Sequence, residues 1–474
     1  MPQGRSRALF RTAAPLAAIA LIGLLALGTR SSDRPAPTTT TTTEPEVALR
    51  RTDVLSIAPT TTTTTTTEPG VALRRTDVLS MAPATAAPLR LSGPADVFVA
   101  PAAQGTGDGR TAANAAGIER LNEFLRVLEP GSVIELLADK GAYDLSQPIT
   151  LNAGGAEDAP ITIRGPVEGS SAELRGNRAY PYDPGGETGR ALFRLVEGAD
   201  HLIFANLHCT RAGNGCFHVA GPITDLTITA TTADNVRRFF ENQAGTGQTD
   251  ATIVGLEISH VKISGFSKGA IRLAHDTHDG RITDVVGDSG QQDGDNFAVG
   301  VHLLDTVHDV VIERVTMDNA RDTLHEYWNG DGFAAERGVS NLQFIGTSAS
   351  GNTDAGYDLK ASNVRMVDVA AHDNKRNYRL WGQEVILENC RGTDPHRRGG
   401  TGTQAQVQIG ENALVELVDC TFTDQDTATI VFDVDGQAQL IVRSGRVDRS
   451  SGGQLSSVDP AASIDLLGIT ERTR

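Results

Sequence analysis

Beyond about residue 95 the hydrophobic positions alternate with polar ones in short runs: ITLNA (149–153), ITIRG (161–165), LIFANL (202–207), LTITAT (226–231), TIVGLEI (252–258), VVIERV (310–315), LQFIGT (342–347), VRMVDV (364–369), VILENC (385–390) and VELVDC (415–420). A period of two predicts strands with one buried face. The Gly, Asn and Asp residues between the runs supply turns. The runs recur at intervals of about 21 to 31 residues, which is the signature of a solenoid rather than a sandwich. Helical segments between the runs are missing, which argues against leucine-rich repeats and α/β folds. The pattern therefore predicts an all-β chain, a single-stranded right-handed parallel β-helix over 92–474, whose inward positions stack into apolar ladders. One stretch departs from period two. GIERLNEFLRVL (117–128) places Ile118, Leu121, Phe124, Leu125 and Leu128 on one helical face, and Pro130-Gly131 follows. A lone amphipathic helix there predicts a cap over the first open coil.

The region before the strands reads differently. Arg5, Arg7 and Arg11 precede an apolar segment that ends in Ala26-Leu27-Gly28, so residues 1–28 are expected to be a signal peptide or a retained signal anchor. Residues 29–91 form a Thr/Pro-rich linker with a duplicated unit, VALRRTDVLSIAP (47–59) and VALRRTDVLSMAP (71–83). Poly-Thr beside Pro buries no core and predicts an extended stalk. Secretion or surface display follows, with membrane attachment only through the N-terminal segment, and a monomer is expected.

Charge narrows the partners. The 474 residues carry 42 basic and 59 acidic side chains, a formal net charge of −17, which excludes nucleic acid as a partner. An acidic polymer needs a cation or a local basic strip to bind. Cys390 and Cys420 hold equivalent places in VILENC and VELVDC, so they stack on neighbouring coils at a spacing a disulfide accepts. Cys209 and Cys216 flank a Gly-Asn-Gly turn, where a local pairing is the alternative to buried free thiols.

The stretch 328–382 carries the candidate chemistry. Phe333, Tyr357 and Tyr378 each precede an alternating run and, with Phe297, are expected to form one inward ladder. Their neighbours then point outward, giving a column Arg272, Ala298, Ala334, Asp358, Arg379. The turn before it supplies Asp293 and Asp295, then Asp331, then Asp354, then Lys375 and Arg376. Carboxylates converging on adjacent coils repel unless a cation lies between them, and oxygen-only donors favour Ca²⁺. Asp295, Asp331, Asp354 and Asp358 are thus the expected metal ligands, against the plainer reading that Asp-Gly pairs only make turns.

The stretch NGDGFAAERG…SGNTDAGYDLK…NYRLWG resembles the family-nine pectate lyases over about 55 residues. The resemblance implies a β-helix in which Asp331, Asp354 and Asp358 hold Ca²⁺ and Arg379 stands where a lysine takes the C5 proton of a uronate. Ala355 replaces a second aspartate and Arg379 replaces the lysine, and an arginine keeps its proton. Lys360, Lys375, His302 and His325 are the alternative bases, the two histidines being expected in coil insertions. Arg272, Lys268 and Lys360 are expected to hold substrate carboxylates, and Trp328 and Trp381 to stack on sugars. The leading expectation is a lyase acting on an acidic polysaccharide by Ca²⁺-assisted β-elimination. The alternatives are a glycoside hydrolase using paired Asp from the same set and a non-catalytic glycan-binding protein on a stalk.

Overall fold

The computed structural model describes residues 93–184 and 189–474; the signal segment and the whole linker with its duplicated motif lie outside the described residues. Over this range the alternation in the sequence becomes a right-handed parallel β-helix. The named strands pair in parallel with the strand one coil before and one coil after.

The coils stack three faces. One contains Ser340–Ile345, Ser362–Val367 and Val385–Glu388; a second contains Ser348–Ser350, Ala370–His372 and Arg391–Thr393. The third contains Ala298–Leu303, Gly330–Ala335, Ala355–Leu359, Arg376–Leu380 and Gln404–Ile409. Inside, a continuous apolar core runs along the solenoid, with Phe344, Met366 and Leu387 in one ladder and Val301, Phe333, Tyr357, Tyr378, Val407 and Phe432 in another. Phe333, Tyr357 and Tyr378 stack at 4.9 and 5.3 Å with nearly parallel rings, close to the strand spacing of about 4.8 Å.

Phe297 is not in that ladder. Its place is held by Val301, which pairs with Phe333; Phe297 sits before the strand with a φ of 57° and is 52% exposed. The predicted helix is shorter than expected: a 3₁₀ turn at Ile118–Arg120 leads into Leu121–Leu125. It still caps the open end, burying Leu121, Phe124 and Leu125, with Ile118 and Leu128 packed on the core.

Beside the aromatic ladder runs a buried polar one. Asn352 Nδ2 donates to Asn374 Oδ1 (2.9 Å), Asn374 Nδ2 to Asn377 Oδ1 (3.1 Å), and Asn377 Nδ2 to Gln406 Oε1 (2.8 Å). Each side chain closes a corner whose backbone polar groups would otherwise be unpaired inside. Gly356 faces this ladder: a Cβ there would lie 2.7 Å from the Asn377 carbonyl and 2.8 Å from Asn374 Nδ2. That close approach inside the strand Ala355–Leu359 is open only to a residue without a side chain.

Cys390 and Cys420 form the expected disulfide across adjacent coils, with a Cα separation of 4.5 Å. Cys209 and Cys216 do not pair; both are buried free thiols, in the strands Leu207–Thr210 and Asn214–Val219. Among the described residues, no helix is long and apolar enough to cross a membrane.

Candidate active site

The third face presents an outward column that the pairing register reads as Arg272, His302, Ala334, Asp358, Arg379, Gln408, Asp433. Ala298 does not belong to it, because the inward ladder position is held by Val301, four residues after Phe297. His302 therefore lies on the strand Ala298–Leu303 and not in an insertion. His325 is in an insertion as expected, with Nδ1 against Asp322 Oδ1.

Two insertions crown this column. The coil from Val301 to Phe333 is long and carries 319–329 with Tyr327 and Trp328; the coil from Arg379 to Gln408 carries 394–403. Trp328 joins them. Its ring lies against Gly399 and its Cβ against Gly400, so it pins the two loops together instead of offering a free face to a sugar. Gly402, with a φ of 92°, covers Arg376: a Cβ there would meet the guanidinium.

At the centre is Asp354, which is fully buried. Its Oδ1 is met by Lys375 Nζ at 2.7 Å and Arg376 Nη1 at 2.6 Å. Its Oδ2 accepts from Tyr327 OH at 2.8 Å and Arg379 Nη1 at 3.4 Å. Burial alone would raise its pKa, but Arg376, Lys375 and Arg379 together hold it below the usual carboxylate value. Asp358 accepts from Arg379 Nη1 on Oδ2 (3.1 Å) and from Trp381 Nε1 on Oδ1 (3.0 Å). Its pKa is raised, burial outweighing Arg379 and Lys360. Asp331 accepts the Ala355 N–H at 2.7 Å; burial first, then the charges of Asp354 and Asp358, push its carboxyl well above the usual range.

The cations are partly presented to solvent. Arg379 keeps 20% of its side chain exposed and stacks on Trp381, 4.9 Å from the ring centroid. Burial works to lower its pKa, but Asp358 and Asp354 outweigh it and push the value up, so this guanidinium is a poor base. Lys360 Nζ reaches back one coil to Glu336, at 2.9 and 3.0 Å. His302 Nε2 lies 3.6 Å from the same Glu336. Contact with His302 and with Lys360 draws the Glu336 pKa down to about 2. Burial holds the imidazole of His302 below its ordinary value, so the ring is neutral at neutral pH.

Asp331, Asp354, Asp358, Lys360, Arg379 and Trp381 are thus brought together, as the sequence predicted. Asp295 is elsewhere, two coils earlier, bound to Arg237 Nε at 3.1 Å and to Ser267 Oγ at 2.5 Å. Lys268 is beside it, its Nζ on the Asn296 carbonyl and its pKa lowered, mainly by burial, to about 8. Arg272 heads the column and donates to the Asn242 carbonyl at 2.7 Å. Three participants were not foreseen as such: Tyr327, and Lys375 with Arg376 as partners of Asp354. The doubled cation KR at 375–376 was the available signal.

These contacts do not fit the calcium site. A carboxylate offers about four lone-pair directions, and on Asp354 three hydrogen-bond donors and the Lys375 ammonium crowd around them. Ala355 supplies no oxygen, and directly beneath it in the next coil stands Arg376, buried and bonded to Asp354. The chain's own ammonium and guanidinium groups lie where the resemblance put a metal ion.

No family model matches the chain, and no curated protein matches it. Solved structures do match. The GH136 lacto-N-biosidase from Eubacterium ramulus superposes with a TM-score of 0.51 at 11% identity, covering 80% of this chain and 68% of that one. Pectate lyase Pel9A gives 0.41 at 16% identity, over 70% and 77%, and the periplasmic alginate epimerase AlgG 0.43 at 10%, over 75% and 82%. At such identities the likeness is one of fold, and the fold is the parallel β-helix found in these glycan-processing enzymes.

Proposed function

We propose that the protein is a secreted or surface-tethered enzyme that cleaves an acidic, uronate-containing polysaccharide by β-elimination, using its own cations and acting as a monomer. The observation that carries this reading is the outward column around Ala334. That short side chain, itself buried, stands between His302 one coil before and Asp358 one coil after, a span of about 10 Å over two coil spacings. A sugar ring seated there has Lys360 and Arg379 on one side and His302 on the other.

Each group then has a task set by its charge. Lys360 and Arg379 neutralise the substrate carboxylate, which makes the C5 proton acidic. Neutral His302, held beside Glu336, accepts that proton. The electron pair forms the C4=C5 double bond, the C4–O bond breaks with its pair on oxygen, and the leaving oxygen takes a proton from solvent. Arg272 is placed to bind a carboxylate further along the chain. Asp354 does not touch substrate; it fixes Lys375, Arg376, Arg379 and Tyr327 in place. Trp381 holds Arg379 by stacking and anchors on Asp358.

The hydrolytic alternative needs two accessible carboxylates, whereas Asp331, Asp354 and Asp358 are 2%, 0% and 4% exposed. The test is Arg379. Arg379→Ala should lower kcat/KM on uronate polymers by about 10²–10³, and Arg379→Lys should recover part of it because a charge suffices. Activity equal to wild type in both variants removes Arg379 from the mechanism. New reducing ends without the ultraviolet absorbance of an unsaturated uronate make the enzyme a hydrolase instead.

A further inference from the structure

A second cluster of chemistry-bearing side chains lies on another face of the solenoid, away from the column of Arg379. The strands His278–Asp288 and His308–Asp318 run side by side on successive coils. Their first residues stack ring on ring, 4.8 Å between centroids and 6° from parallel. Asp276 sits in the turn before the first strand, and ligand atoms of Asp276, His278 and His308 all lie within 4.8 Å of one another.

The hydrogen bonds of the two rings decide what they present. His278 Nδ1 is 2.7 Å from the Asp276 carbonyl oxygen, and His308 Nδ1 is 2.6 Å from Asp309 Oδ2. Both partners only accept, so both Nδ1 atoms carry the hydrogen and both Nε2 atoms present a lone pair. This is the arrangement in which an oxygen behind the ring fixes the tautomer and raises the basicity of the ligating nitrogen. The two Nε2 atoms face carboxylates: His308 Nε2 is 3.7 Å from Asp276 Oδ1, and His278 Nε2 is 3.8 Å from Asp279 Oδ2. A lone pair opposite a carboxylate is repulsive unless something positive lies between them. Distances of 3.7–3.8 Å are too long for a direct hydrogen bond. The 3.7 Å between His308 Nε2 and Asp276 Oδ1 comes close to the span of two bonds of about 2.1 Å meeting at a metal ion. Thr306 Oγ1 donates to Asp276 Oδ1 at 2.9 Å and steadies that oxygen.

We infer that Asp276, His278 and His308 form a binding site for a divalent transition-metal ion of the zinc class. Two imidazole nitrogens and one carboxylate select Zn²⁺, Co²⁺ or Ni²⁺ over Ca²⁺ and Mg²⁺. The side chains are partly exposed, at 26%, 31% and 63% for His278, His308 and Asp276, so solvent reaches the ion and completes its coordination. The adjoining groove is lined by Glu197, Asp200, Asp250 and Asp305, whose charges concentrate cations at its mouth. The ion ties two successive coils together at a point where the rings alone stack.

The test uses the full chain, free of any purification tag and stripped with chelator. Calorimetric titration with Zn²⁺ should show one ion bound per chain, and Co²⁺ should give a visible band of the kind imidazole–carboxylate ligation produces. His278→Ala with His308→Ala should abolish both signals while circular dichroism is unchanged, and Asp276→Asn should weaken binding at least tenfold. Absence of Zn²⁺ and Co²⁺ binding by the wild type overturns the site. Undiminished binding in the double histidine variant overturns it as well.

Discussion

At the residue scale the decisive side chain is Asp354, because what occupies its oxygens determines what the site does. Tyr327 and three cationic side chains converge on it, which offsets the buried negative charge of the carboxylates around it. Asp331 distinguishes this arrangement from a metal site. Burial and the charges of Asp354 and Asp358 raise its pKa, which makes an uncharged amide a tolerated replacement. Asp331→Asn should leave activity within about twofold of wild type and leave Tm equal or slightly higher at neutral pH. The sign follows from linkage: a carboxyl whose folded pKa is raised contributes stability at low pH and loses it as pH rises. A calcium ligand removed in the same way would abolish activity. His302 makes the second prediction at this scale. Burial lowers its pKa from the usual imidazole value, so the acidic limb of the kcat/KM profile should fall below about pH 6.5. His302→Ala should remove that limb and most of the rate, and a profile unchanged in the variant would take His302 out of the reaction.

The element that matters most is the strand Gly330–Ala335, since its outward Ala334 stands between His302 and Asp358. Ala334→Leu should fill the space between His302 and Asp358 and lower kcat/KM by at least tenfold. Ala334 is buried beneath its neighbours, so the larger side chain should also lower Tm; a folded variant with full activity would show that no sugar sits there. The stack of strands itself was legible in the sequence, because period two survives in nearly every coil and Phe333, Tyr357 and Tyr378 mark equivalent positions. Phe297 misled the register by four residues. An aromatic next to a strand looks like a ladder member, and only pairing across coils shows that Val301 holds the place. The corner ladder of Asn352, Asn374 and Asn377 was read as turn chemistry, since an asparagine buried in a corner and one exposed in a turn have the same local sequence. Tyr327 escaped for a related reason: it enters the site from an insertion, and periodicity says nothing about where an insertion folds.

Across the whole molecule, charge and site oppose each other. A chain of net charge −17 displays Arg272, Lys360 and Arg379 along one face of a parallel β-helix, a local exception through which an acidic polymer can be held at contact distance although the remainder repels it. The acidic residues of 328–382 were visible in the sequence and so were Lys375 and Arg376. Their pairing was not, because it depends on Ala355 making room for a guanidinium from the coil below. The central claim is that this enzyme eliminates across a uronate with cations of its own. The measurement that tests it most directly is the initial rate of unsaturated-product formation on a panel of uronate polymers, followed by ultraviolet absorbance, in excess chelator and again with added Ca²⁺. Equal rates in the two conditions, with Arg379→Ala inactive in both, are the predicted result. A rate that vanishes with chelator and returns with Ca²⁺ would contradict it.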